Sequence, residues 1–245
     1  MVKIIQVSAA FLIAKCHYTL ATFQQMITNI DLLQQNAEMV DQEMSSMSGS
    51  RNLRPQDMGL LNNYGCWCFF EVNHGQGKGL PVNELDRFCK ILHDGYNCIM
   101  HDALVEENRE CVPWELIYNS AWGGGIPTGM TMEGIVEECN LQNNPNSCEA
   151  RTCMVEGFFV QSFFKYHLNG GQIDVSYQHV NGFDHQGQCL SEQSGIQSEK
   201  SCCGQYPIRW PYKTYGGDKD CCETRTYDTG LFSCCADGSV QVTCL

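Results

Sequence analysis

Apolar residues recur at helical spacing in three stretches of the chain. In the first, over 22–47, phenylalanine, methionine, isoleucine and leucine return every three or four residues, which predicts one amphipathic helix. The second covers about 82–105, with Asn83 as a candidate N-cap. The third follows Asn146 and extends toward His167. The pattern therefore predicts a mainly α fold.

Two regions of the chain lack this periodicity. Residues 111–134 contain Pro113, Pro127 and three consecutive glycines, a composition that favours a loop or short hairpin. The region 169–245 holds eight cysteines, three pairs of which are adjacent, at 202/203, 221/222 and 234/235. We therefore expect a compact, disulfide-stapled C-terminal module of β or irregular structure. Residues 173–183 would join it to the helical part.

The cysteine content bears on the cellular compartment. The 245-residue chain contains 17 cysteines, and an oxidising compartment turns such a number into a disulfide framework. Zinc binding, the alternative, calls for Cys-x-x-Cys pairs with matching histidines, and the sequence has no such pair. The composition predicts a secreted, extracellular protein.

The first residues fit export. Lys3 is followed by an apolar stretch over 4–14, and Thr19-Leu20-Ala21 is a tolerable small-residue cleavage site, which predicts a signal peptide over 1–21. The apolar stretch is too short to span a bilayer. Cleavage after Ala21 would remove Cys16 and leave sixteen cysteines, an even number that allows full pairing.

The net charge restricts the classes of partner. The chain carries a formal charge of −13, and residues 63–168 hold 14 acidic and 6 basic side chains, which makes this the acidic segment. Such a charge argues against nucleic acid as a binding partner and against binding to anionic membranes by electrostatic attraction alone. It is compatible with calcium or a basic partner, and equally with a solvated surface that keeps a secreted protein soluble.

One stretch combines several motifs. It reads YGCWC at 64–68, continues through a loop with glycines at 75, 77 and 79 to Pro81, and ends in a helix with HD at 93–94. This order resembles the secreted phospholipase A2 family, whose pattern is YGCYC, a glycine-rich calcium loop and a helix carrying Asp-Arg-Cys-Cys-x-x-His-Asp. The resemblance implies a disulfide-rich core of two antiparallel helices.

The resemblance also implies a set of site residues with Ca²⁺ as cofactor. Glycine-rich backbone lets carbonyl oxygens point at a hard cation, and a carboxylate on a helix completes the oxygen shell. His93 would be the general base that activates water, and Glu156 would accept a hydrogen bond from its far nitrogen. The implied metal ligands are Asp94, Trp67, Gly75 and Gly77.

Disulfide pairings follow from the same resemblance. It implies the bonds Cys68–Cys89, Cys111–Cys148 and Cys139–Cys153. Cys66 and Cys98 would pair with each other or with the tail. Two further bonds of the family are missing, because their positions read Phe88 and Ser162 in one case and Tyr96 and Val155 in the other.

The spacing between Cys89 and His93 departs from the family pattern. Three residues separate them where the family has two, a difference of roughly 100° around a helix unless the first turn absorbs the extra residue. The loop from Cys68 to Pro81 is also longer, and Phe69 stands where the family has glycine.

These observations predict four parts of the chain. They are a signal peptide (1–21), an N-terminal amphipathic helix and loop (22–62), a phospholipase A2-like domain (63–168) and the cysteine-rich module (169–245). Alternatively, 22–50 is a removable pro-segment and 53–61 supplies the first helix. The double cysteines of the module resemble the repeats of galaxin-type skeletal matrix proteins.

The sequence is compatible with a venom or defence protein that acts through receptor or membrane binding, and with two functions that particular residues favour. The first is a secreted, calcium-dependent phospholipase A2-like enzyme that hydrolyses the sn-2 ester of glycerophospholipids at a membrane or vesicle surface. The second is a non-catalytic, acidic, calcium-associated extracellular matrix or biomineral protein on the same scaffold. His93, Asp94 and Glu156 favour the enzyme, whereas the altered loop, the charge and the tail favour the alternative.

Overall fold

The computed structural model describes residues 59–70, 74–119, 130–190 and 198–244. The helices are α1 (Glu84–Glu107), α2 (Met132–Gln142), α3 (Cys148–Leu168) and α4 (His185–Gln188). The strands are β1 (Lys200–Gln205), β2 (Ile208–Lys213), β3 (Lys219–Cys222), β4 (Arg225–Asp228), β5 (Ser233–Cys234) and β6 (Val240–Gln241). The predicted signal peptide, N-terminal helix and pro-segment lie outside the described residues, apart from 59–62.

The two long helices begin at side-chain caps. The Asn83 side chain accepts a hydrogen bond from the Asp86 backbone N–H, and the Ser147 side chain accepts one from Ala150. Such caps satisfy backbone donors that have no partner within the helix. α1 ends at Glu107, and its C-cap Asn108 has a left-handed backbone (φ 49°). Both helices therefore lie where the apolar periodicity predicts them.

α1 and α3 pack against each other in opposite directions. Three cross-helix pairs show the direction, because the residue number rises along α1 as it falls along α3: Phe88 with Tyr166, Tyr96 with Glu156, and Glu106 with Arg151. Their facing sides form the centre of a buried apolar core, which includes Leu92, Ile99, Val155, Phe159 and Phe163.

One helix lies partly where a loop was expected. α2 starts at Met132, inside the predicted loop 111–134, because Thr131 caps it through a hydrogen bond from the Gly134 N–H. Its buried residues Ile135 and Cys139 face α3. The proline and glycine content of the preceding residues hides this start in the sequence.

Eight disulfides hold the described chain together. The bonds Cys68–Cys89, Cys111–Cys148 and Cys139–Cys153, implied by the resemblance, are present. Cys66 and Cys98 do not pair with each other; they bind Cys189 and Cys202 of the C-terminal region. The remaining bonds are Cys203–Cys221, Cys222–Cys234 and Cys235–Cys244.

The C-terminal region contacts the helices at two places. Residues 173–190 lie against the YGCWC segment, where the Gly65 N–H donates to the Tyr177 carbonyl and the His179 N–H to the Asn63 carbonyl. Further on, β1/β2, β3/β4 and β5/β6 form three antiparallel hairpins. The first lies on α1, where Arg209 forms an ion pair with buried Asp102.

These features describe a disulfide-rich helical core with small antiparallel strand pairs. The galaxin-type resemblance of the tail stays a prediction. In the parts of the chain that the structure describes, no helix has the length and apolar character needed to cross a bilayer.

Candidate functional site

A buried carboxylate organises the YGCWC segment. Asp86 of α1 accepts hydrogen bonds from the backbone N–H groups of Cys66 (2.9 Å), Trp67 (2.7 Å) and Val82 (2.9 Å). Gly65 is required here, because its φ is +58° and a Cβ would lie 2.6 Å from the Asp86 carboxyl carbon. Burial raises the pKa of Asp86, and the N–H donors oppose that rise. Sequence reasoning missed this role, although Asp86 belongs to the Asp-Arg motif.

The glycine loop folds around Trp67. The Trp67 Nε1–H donates to the Gly79 carbonyl oxygen at 3.0 Å. A Cβ on Gly77 would lie 2.5 Å from the indole ring, whereas one on Gly75 (φ +96°) would meet open space. The Lys90 ammonium lies 5.0 Å from the Trp67 ring centroid, a cation–π contact. The tryptophan thus fastens the loop to the first turns of α1.

His93 is enclosed, with 2% of its surface exposed. Its Nε2 lies 2.9 Å from the Phe69 carbonyl oxygen, and since a carbonyl can only accept, Nε2 carries the proton. The ring stacks on His74 at a centroid distance of 4.3 Å, and His74 stacks on Trp114 at 4.0 Å. Burial lowers the pKa of His93 to about 4 and that of His74 to about 3. Both imidazoles are therefore neutral at physiological pH.

The Asp94 carboxylate has a protein cation as its partner. It forms an ion pair with the Lys90 ammonium one helical turn earlier. Burial raises the pKa of Asp94, and Lys90 acts in the opposite direction. The charge that was expected to bind calcium is thus balanced by Lys90.

Glu156 is fully buried on α3 and does not bind His93 as the resemblance implied. Its Oε1 accepts a hydrogen bond from the Tyr96 hydroxyl at 2.6 Å, and its Oε2 accepts one from the Tyr118 hydroxyl at 2.7 Å. Burial raises the pKa of Glu156 to about 7. Tyr118 was not singled out from the sequence, where it follows a proline-containing turn without any motif.

The helical register explains why His93 and Glu156 are apart. α1 is continuous from Glu84 to Glu107, so no turn absorbs the extra residue after Cys89. Tyr96 binds Glu156, and the residue one turn before Tyr96 on the same face is Leu92. His93 lies roughly 100° further around the helix. The side of α1 that faces Glu156 therefore carries a leucine in place of an imidazole.

The residue of α1 that lies against Val155 of α3 indicates the same helical register. The sequence placed Tyr96 opposite Val155, but the structure places Gly95 there, with an added Cβ 3.5 Å from the Val155 Cβ. Counting from Cys89, Gly95 then takes the position of the family's lost cysteine. On this count Leu92 stands at the position of the family's histidine, and His93 at that of its calcium-binding aspartate.

The residues expected to hold calcium do not fit that ion in this arrangement. The Trp67 carbonyl accepts the Phe69 N–H at 2.8 Å, the Phe69 carbonyl accepts His93 Nε2–H, and Asp94 is paired with Lys90. Calcium requires six to eight converging oxygens, and of the four predicted ligands the Trp67 carbonyl and the Asp94 carboxylate are already bound to donors of the chain itself.

One other cluster places metal-ligand types together. Among the described residues, His101, Asp102 and Cys202 lie close enough to share an ion. However, Cys202 is bound to Cys98 in a disulfide and Asp102 is paired with Arg209. This cluster therefore offers no thiolate to a metal.

Comparison with known proteins finds a distant similarity over part of the chain. A basic phospholipase A2 of Micrurus corallinus is 27% identical to the chain over 125 residues, which cover 44% of this chain and 71% of that protein. No protein-family model matches the chain. No solved structure matches it either. The chain is thus distantly similar to a phospholipase A2 over part of its length.

Proposed function

We propose that this chain is a secreted phospholipase A2-type protein that binds phospholipid without cleaving it. Its similarity to a phospholipase A2 supports a lipid ligand, and its eight disulfides are typical of extracellular proteins. The main support for the proposed lack of hydrolysis is the position of Leu92, which lies on the side of α1 that faces Glu156.

Ester hydrolysis needs a base that can reach water and a group that stabilises its protonated form. Leu92 can supply neither. His93 is enclosed by His74 and Trp67, and its low pKa makes it a weak base. The carboxylate that would stabilise an imidazolium, Glu156, is shared by two tyrosines. The described side chains therefore do not assemble a water-activating pair.

Two exposed leucines supply an apolar contact for a lipid surface. Leu80 of the glycine loop is 83% exposed and Leu190, which follows α4, is 71% exposed. The residue before Leu80 lies against Leu190, because a Cβ on Gly79 would lie 2.8 Å from the Leu190 carbonyl oxygen. Lys78, in the same loop, is half-buried, and its ammonium donates a hydrogen bond to Gln186 Oε1 at 2.6 Å. An apolar contact of this kind does not depend on the overall charge of −13.

A second candidate is the calcium-dependent hydrolase that the resemblance implies. One observation favours it: the Phe69 carbonyl fixes the proton on Nε2 of His93, which leaves the Nδ1 lone pair as the basic site. His93 would then be the base, with Asp94 released from Lys90 toward calcium.

Vesicle assays with the mature chain separate the two candidates. We expect the protein to co-sediment with phosphatidylcholine vesicles and to release no fatty acid, with or without millimolar calcium. Leu80→Asp with Leu190→Asp should reduce co-sedimentation several-fold, whereas Leu141→Asp, also on an exposed leucine, should not. Calcium-dependent fatty acid release that His93→Gln abolishes would establish the hydrolase. Failure of the wild type to co-sediment would reject lipid binding.

A further inference from the structure

We infer that groups of the chain itself replace calcium in holding the glycine loop. The His93 Nε2–H donates a hydrogen bond to the Phe69 carbonyl, and the Lys90 ammonium forms an ion pair with the Asp94 carboxylate. The inference rests on loop geometry and is independent of whether the protein binds lipid, whereas calcium-dependent hydrolysis would contradict it.

The covalent framework places His93 against the loop. Cys68 is bonded to Cys89 with their Cα atoms 5.0 Å apart. Phe69 follows Cys68 directly, and His93 lies one helical turn after Cys89, so the Phe69 carbonyl and the imidazole meet at 2.9 Å. Because the helix is continuous and the disulfide fixes its rotation, this contact follows from the spacing of Cys89 and His93.

Lys90 occupies the space between the loop and the helix. Its ammonium contacts the Trp67 ring on one side and the Asp94 carboxylate on the other. A divalent cation approaching Asp94 would meet this positive charge at short range. The ion pair therefore both neutralises Asp94 and opposes metal binding there.

The backbone donors of the segment are satisfied as well. Asp86 accepts the N–H groups of Cys66, Trp67 and Val82. The Trp67 indole binds the Gly79 carbonyl. Asp86 thus accepts backbone N–H groups, while His93 and Trp67 donate to backbone carbonyls. These protein contacts order the described part of the loop.

The inference predicts a latent metal site. His93→Asp would set a carboxylate beside the Phe69 carbonyl, and Lys90→Met would release Asp94 while keeping an apolar stem. The double variant His93→Asp with Lys90→Met should therefore bind calcium. His93→Asn with Lys90→Met, which has nearly the same shape without the added charge, is the matched control.

Terbium luminescence and thermal denaturation provide the measurements, since Tb³⁺ occupies calcium sites and a nearby tryptophan such as Trp67 sensitises it. For the wild type we expect no sensitised emission and the same Tm in millimolar calcium and in EDTA. The Asp-containing double variant should gain emission that calcium displaces and a Tm that calcium raises by several degrees. The Asn-containing control should show neither.

Two outcomes would overturn the inference. One is a wild-type Tm raised by calcium and returned to the EDTA value by Asp94→Asn. The other is a folded Asp-containing double variant, judged by its circular dichroism, that gains no terbium emission. The wild-type titration decides the question even where a variant does not fold, and neither readout uses lipid.

Discussion

Two buried carboxylates, Asp86 and Glu156, show how single residues hold this site. Neither has an ion-pair partner among the described residues. Asp86 is satisfied by three backbone N–H groups and Glu156 by two tyrosine hydroxyls. Burying an acid without a cation is costly unless hydrogen bonds compensate, so each set of donors is needed for the fold.

Asp86→Asn should destabilise the protein. The amide replaces one accepting oxygen by an NH₂ group that faces backbone donors, and loss of hydrogen bonds to a charged group costs about 2–3 kcal/mol. Urea denaturation monitored by tryptophan fluorescence measures the change. Glu110→Gln, on an exposed acid, serves as the control and should change the free energy of unfolding by less than about 0.5 kcal/mol. Equal stability of the two variants would contradict the role given to Asp86.

Glu156 should make stability depend on pH. Its pKa is raised from 4.5 to about 7 in the folded protein, so its contribution is present in full below its unfolded pKa and is lost as pH rises through about 7. The loss is about 3 kcal/mol by linkage. His93 and His74, with lowered pKa values, act in the opposite sense as pH falls below 6.5.

The comparison with Glu156→Gln isolates the carboxyl group, because both proteins keep the two histidines. The wild type should lose stability relative to the variant between pH 4.5 and about 7, measured by denaturation at each pH. A difference that does not vary with pH would show that Glu156 does not titrate in this range.

At the scale of elements, the register of α1 decides which residues face α3. One extra residue after Cys89 turns Leu92, Gly95 and Tyr96 toward α3 and His93 toward the glycine loop. The disulfide between Cys68 and Cys89 prevents the helix from rotating back. A change of one residue in spacing thus separates the imidazole from the carboxylate.

An engineered disulfide tests this register. Gly95→Cys with Val155→Cys should form a bond, because the two Cβ positions are 3.5 Å apart and disulfides need about 3.5–4.5 Å. Tyr96→Cys with Val155→Cys, the pair that the sequence pattern suggested, should remain reduced. Mass spectrometry of non-reduced peptides distinguishes the two. A bond in the second variant and none in the first would place α1 in the other register.

At the scale of the whole molecule, the C-terminal region closes over the helical core at both ends of α1. Cys189 binds Cys66 beside the glycine loop, and Cys202 binds Cys98 in the second half of α1. Buried Asp102 adds an ion pair with Arg209 and a hydrogen bond from Tyr206. The tail is therefore part of the frame that fixes the site.

The sequence predicted the parts of the fold that local chemistry determines. Apolar periodicity and the candidate cap Asn83 located α1, and the same periodicity located α3. The start of α2 was not predicted, because glycines and prolines precede Thr131. The partners of Cys66 and Cys98 depend on contacts more than 100 residues away, which spacing cannot reveal.

The candidate site was predicted less well than the fold. The motif located His93, Asp94 and Glu156, and the structure places all three in the buried core. Their partners depend on whether a helix absorbs one extra residue, which periodicity cannot decide. The roles of Lys90 and Asp86 come from neighbours brought together by the disulfide and the loop.

The adjacent cysteines of the tail have a mechanical consequence. At each of the three double-cysteine positions, one cysteine is bonded toward the helical core and its neighbour is bonded to a cysteine nearer the C-terminus. A covalent path from Cys98 to Cys244 therefore runs through four cystines and three single peptide links. Covalent bonds along this path would bear an applied tension. The hairpins would therefore not unfold when the tail is pulled.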